Sequence, residues 1–243
     1  MMHRVITAQE CIKTLNERSA SLFLALLICG DLAFVVLHFI NGLTPIIVMP
    51  LRELGRDGGY PELYQYLKFL WIIILLIFVS LRNASLLYVA WAAVFAYFLL
   101  DDSFQIHERV GRYIAANLSL VPTLGLRLQD YGELAVSAAA GIILFLPLVW
   151  AYRKGSRMFR KISQDFALLI SILIFFGVVV DMAHIAIRLG RTVDFVLGVI
   201  EDGGEMLSVS LILWYAFLMM VRDRDSGCYL CDCARIVLTR RST

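Results

Sequence analysis

Six apolar runs of about twenty residues punctuate this chain of 243 residues, at about 19–40, 66–82, 84–108, 131–152, 165–188 and 193–221. A helix needs about 20 mostly apolar residues to cross a hydrocarbon core of about 30 Å. No water inside that core can satisfy an open backbone, so each run is expected to be a helix. The fold class that follows is all-α: a polytopic membrane helical bundle with about six transmembrane helices. Composition agrees, since 60% of the residues are hydrophobic, 17% are charged and the mean hydropathy is +0.78, too apolar for a soluble domain of this size. The formal net charge of +2 is near balance and gives no reason to expect a nucleic-acid partner.

The expected organisation is a cytoplasmic N-terminal segment over residues 1–18, a six-helix domain over 19–221 and a cytoplasmic tail over 222–243. Arg4, Lys13 and Arg18 ahead of the run from Ser19 look superficially like a signal peptide. No small-x-small cleavage site follows, and Asp31 and His38 lie in the continuing segment, so a retained helix is expected. Fourteen of the twenty-two basic residues fall on the side of the termini, among them Arg153, Lys154, Arg157, Arg160 and Lys161 in one short loop. The other side takes Arg52, Arg56, Lys68, Arg109, Arg112, Arg127, Arg188 and Arg191. The positive-inside rule then places both termini in the cytoplasm of a multi-pass protein of the bacterial inner (plasma) membrane. Trp150 and Tyr152 at the inner end, and Tyr64 and Tyr66 at the outer, fit aromatic belts. The Pro- and Gly-rich stretch 41–65 and the connection 110–130 are candidate interfacial lids.

Ionisable residues inside the runs are the anomaly, because a charged side chain at a helix centre costs roughly 2.5–3.5 kcal/mol on insertion scales. The first run holds Asp31 and His38, the third ends in Asp101, Asp102, His107 and Glu108, and the fifth holds Asp181 and His184. The sixth begins with Glu201, Asp202 and Glu205, and Glu133 opens the fourth. Runs one, three and five carry these groups late, whereas four and six carry them early. All therefore sit toward the outer side, and only the second run contributes nothing.

Helical spacing lets one helix offer two such groups: Asp31 and His38 are seven apart, Asp181 and His184 three, Glu201 and Glu205 four. Asp101, Gln105 and Glu108 share a stripe; Asp102 and His107 lie off it and join only if the helix end loosens. Imidazole with carboxylate suits one or two divalent ions such as zinc, iron or manganese. The expected metal ligands are His38, Asp101, His107, Glu108, Asp181, His184, Glu201 and Glu205, with Asp31 and Asp102 as proton acceptors. Glu133 serves equally well as a partner of its helix dipole. Cys228, Cys231 and Cys233 make a C-x-x-C-x-C spacing, a weak zinc signal in a reduced tail.

The strings Leu100-Asp101-Asp102 with His107-Glu108, and Glu201-Asp202-Gly203-Gly204-Glu205-Met206-Leu207, resemble motifs of uncharacterised bacterial multi-pass membrane proteins. In those an acid pair precedes His-Glu and a later helix begins acid-acid-Gly-x-Glu. A looser likeness is to the ceramidase and adiponectin-receptor group of intramembrane zinc hydrolases, which combine histidines from several helices with Asp and Ser. The resemblance implies a shared polar site and no particular activity; membrane lipids are the expected surroundings, and a lipid is the expected substrate on the residues themselves. The expectation is a metal-dependent enzyme, either a hydrolase or a di-metal oxidoreductase, working at the outer side. A divalent cation or proton transporter is the alternative, as is an accessory subunit of a membrane complex. A transit path calls for polar groups in the inner half of the bundle, and the runs look nearly apolar there.

Overall fold

The computed structural model describes residues 18–43, 53–117, 126–186 and 190–221. Within them the chain is helical: α1 (Arg18–Leu43), α2 (Tyr60–Arg82), α3 (Leu87–Phe104), α4 (Ile106–Asn117), α5 (Leu128–Lys154), α6 (Arg157–Ile174), a π-helical turn (Phe175–Val180), α7 (Asp181–Ala186) and α8 (Arg191–Val221). Six stretches are long and apolar enough to cross a membrane, α6 to α7 counting as one. The N-terminal segment, the C-terminal tail with Cys228, Cys231 and Cys233, and Arg52 and Arg188 lie outside the described residues.

Two helix starts lie earlier than the apolar runs suggest, and both matter. Pro61, in the first turn of α2, has no N–H to leave unsatisfied and so favours a start at Tyr60. Ser156 caps α6 through a bond from the Phe159 N–H at 3.2 Å. As a result Lys68 and Asp165 stand about two turns inside their helices rather than at the ends, and both are fully buried. The second run is therefore not without an ionisable group, and Lys68 is not a loop cation. Near the tail-side end, the hydroxyl of Tyr215 donates to Asp165 at 2.5 Å and the indole of Trp91 donates to Ser163 at 3.0 Å. The tail-side half of the bundle is more polar than its hydropathy suggests.

The core forms around α8, which packs against α1, α2 and α6. Val209, Ile212, Leu213 and Ala216 of α8 are fully enclosed. Phe166 of α6 meets Tyr215 edge-on at 5.2 Å and lies 5.2 Å from Trp91 and 5.7 Å from Phe95 of α3. Outward residues such as Leu26, Leu81 and Ile143 are about as apolar as the buried ones and remain exposed. That all-round apolarity is what lipid as solvent allows.

The third run does not continue to residue 108. The helix stops at Phe104, Gln105 takes a left-handed conformation (φ 50°, ψ 46°), and α4 starts in a new direction. α4 then packs on α5 with Gly111 and Gly132 face to face. A Cβ on Gly132 would lie 2.2 Å from the Gly111 carbonyl oxygen, so only glycine permits this approach.

Candidate functional site

Most of the sequence-selected acids and histidines gather at the bundle end where α1 and α3 finish and α2, α5 and α8 begin. The break at Gln105 is the loosening that His107 requires. It folds His107 back over Asp101, whose Oδ1 accepts the His107 backbone N–H at 2.9 Å while Oδ2 faces the ring Nδ1 at 2.9 Å. One carboxylate thus caps the start of α4 and holds its imidazole. That bond, foremost, raises the His107 imidazole above its ordinary value, against the opposing effect of burial. Glu108 turns the other way, toward Arg112 at 3.8 Å. Burial, followed by the Asp57 carboxylate, pushes Glu108 upward.

The second grouping belongs to α7 and α8. His184 sits between two acids, with Nδ1 2.6 Å from Glu201 and Nε2 3.0 Å from Asp194, an arrangement suited to a ring with a proton on each nitrogen. The Asp181 carboxyl lies within electrostatic reach of Glu201. Glu205, one turn deeper, rests against Gly177 of the π turn and within electrostatic range of Asp102, Asp202, Glu201 and Asp181. Asp202 is directed toward Gly55 in the segment ahead of α2.

That segment, residues 53–59, lies against the acidic end. The Leu54 N–H donates to His38 Nδ1 at 3.1 Å, Gln105 Nε2 donates to Asp57 at 2.8 Å, and Glu62 accepts from both the Gly58 N–H and the Tyr66 hydroxyl. His38 is stacked on Phe195 with centroids 4.8 Å apart, and it serves as an anchor of this segment. Tyr64 and Tyr66 point into the bundle rather than forming an aromatic belt: Lys68 Nζ lies 4.6 Å over the Tyr64 ring, and the Tyr66 hydroxyl also donates to the Asp102 carbonyl at 3.1 Å.

Asp31 stands apart. Its carboxylate binds Lys68 Nζ at 2.8 Å and accepts from the Ser210 hydroxyl at 2.6 Å, while Lys68 also donates to the Met206 carbonyl at 2.9 Å and to Ser210 Oγ at 3.1 Å. Ser210 is about 140–180° around α8 from Glu205 and Glu201, so the helix itself separates this network from the acidic end. Both Asp31 oxygens are engaged, which removes it from the groups positioned to take a proton there. Glu133 accepts from Gln129 at 2.6 Å, and it is Asp130 that receives the Arg127 backbone N–H, at 2.6 Å, at the start of α5.

Among the described residues, no group of three or more His, Cys, Asp or Glu side chains is arranged to hold a metal ion. The carboxylates and imidazoles are brought to one end but bond to each other. Residues the sequence reading did not select are Lys68, Ser210, Asp57, Asp194 and Asp165, together with Asp202, which it left outside the ligand set. Pro61 and Ser156 were the available signals for Lys68 and Asp165.

These features define a polytopic α-helical membrane protein with a carboxylate and histidine layer at one end of the bundle. The chain belongs to the family described as a domain of unknown function, DUF8692, whose model matches residues 26–221. No curated protein and no solved structure matches it.

Proposed function

We propose that this chain is a membrane metalloprotein that takes up one or two divalent cations, zinc, iron or manganese, at its acidic end and uses them on a lipid or other membrane-soluble substrate. The observation that carries the reading is the excess of acid in one place. Glu205 lies within electrostatic reach of Asp102, Asp181, Glu201 and Asp202, with the imidazole of His107 beside Asp102 and that of His184 beside Asp202. Carboxylates withdrawn from water need protons or a cation to offset their charge. Glu201 and Asp194, which pair with His184, would be the carboxylates to hold such a cation, with His184 giving up a proton to join them.

In a hydrolytic version Glu201, Glu205 and His184 would hold the ion, which would supply an acidified water, and Asp102 would be the carboxylate to accept a proton. In a redox version the same carboxylates would hold two irons, which would supply the electron chemistry. Metal analysis of the detergent-purified protein beside a Glu201→Ala/Glu205→Ala variant tests the ligand assignment. Wild type should carry metal that the variant lacks, and equal content in both defeats the reading.

The buried Lys68–Asp31 and Tyr215–Asp165 pairs favour a second reading, a cation or proton transporter, because they extend polarity toward the other end of the bundle. Proteoliposomes under a cation or pH gradient separate the two readings, since an enzyme moves no ion.

A further inference from the structure

The turn Phe175–Val180 closes its backbone over five residues instead of four, with the Asp181 N–H donating to the Phe176 carbonyl. Such a turn absorbs one extra residue and rotates everything beyond it by about 100° relative to an uninterrupted α-helix. α6 rests on the central helix through a stripe that includes Phe166, Leu169 and Leu173, with Phe166 against Tyr215. In an unbroken α-helix, Asp181 would lie about 80° away from the direction of Leu173. With one residue absorbed it comes to within about 20°. The wide turn also lies close against α8. A Cβ on Gly204 would lie 2.2 Å from Phe176, and one on Gly177 would lie 2.8 Å from the Glu205 carboxyl. Two glycines therefore make room for the wide turn and the acid beside it.

We propose that the π turn is the register device of the acidic end: its extra residue is what brings Asp181 and His184 round to Glu201. That these groups then hold a cation rests on the function proposed above; their register does not.

The extra residue can be removed where its side chain faces outward, at Val179 (53% exposed) or at Phe175 (50% exposed). Thiols placed by Asp181→Cys/Glu201→Cys are bridged in membranes with a short bis-methanethiosulfonate, and the bridged peptides are identified by mass. The native-length chain should cross-link, either single deletion should lower the yield at least tenfold, and deletion of Val179 with an alanine inserted after Phe175 should restore it. A native-length chain that does not cross-link overturns the proposal, as do deletions that cross-link equally well. The second deletion guards against a folding failure peculiar to one position. Mn2+ binding by the unmutated chain is measured in parallel. If it is absent while the cross-links behave as expected, the function proposed above falls and the register device stands.

Discussion

Lys68 and Asp31 face each other at 2.8 Å between α1, α2 and α8, with the ammonium wholly enclosed. Removing one partner leaves the other uncompensated in low dielectric, at a cost of roughly 3–5 kcal/mol. Lys68→Met should therefore lower unfolding stability in detergent by about that much, and Lys68→Met/Asp31→Leu should recover most of it. A double variant no more stable than the single one would show that the pair is not the determinant.

The His107–Asp101 contact makes a pH-dependent prediction. Because the folded-state value of His107 is raised above the ordinary 6.5, its stabilisation is complete below that value and is lost as pH rises through the folded-state one. The difference in melting temperature between wild type and His107→Gln should be largest near pH 6 (approximately) and shrink toward about pH 9. A gap that does not vary with pH would contradict the assignment.

Metal uptake should release protons, since His184 faces a carboxylate at each ring nitrogen and can bind an ion only after losing a proton. Titrating Zn2+ into weakly buffered protein should acidify the solution by about one proton or more per ion. His184→Gln should lower that number. Binding without any acidification would count against His184 as a ligand.

Gly132→Ala should loosen α4 from α5, because its Cβ would fall 2.2 Å from the Gly111 carbonyl oxygen and backbone cannot yield as a side chain does. A loss of about 1–3 kcal/mol is expected. Limited proteolysis within α4 should speed up accordingly. Gly141→Ala, where nothing lies within 4 Å of a Cβ, should leave the rate unchanged. Equal proteolysis rates in the two variants would place the tight contact elsewhere.

How much of this was legible depended on the kind of signal. Hydropathy marks where chain must be buried in lipid, so the number of crossing helices and the end at which Asp101, Glu201 and Glu205 gather could be read from spacing and direction. Hydropathy does not mark where a helix begins, and so Lys68 and Asp165 were read as lying at the very ends of their spans although Pro61 and Ser156 announced the earlier starts. Nothing in the residues 101–108 announces the break at Gln105, because that residue's left-handed conformation is held by its neighbours: its backbone N–H bonds to the Asp102 carbonyl and its side chain reaches Asp57, 48 positions away.

The sequence by itself determined an all-helical membrane bundle with its acids at one end, because apolar length and helix direction are local properties of the chain. Tertiary structure alone decided which acid meets which base. Asp31 went to Lys68 on the far side of α8, His38 to the segment ahead of α2, and His184 to a place between Glu201 and Asp194. Those choices turn on rotation about helix axes, and a single residue absorbed in the π turn or one left-handed residue at position 105 shifts that rotation without changing composition or hydropathy.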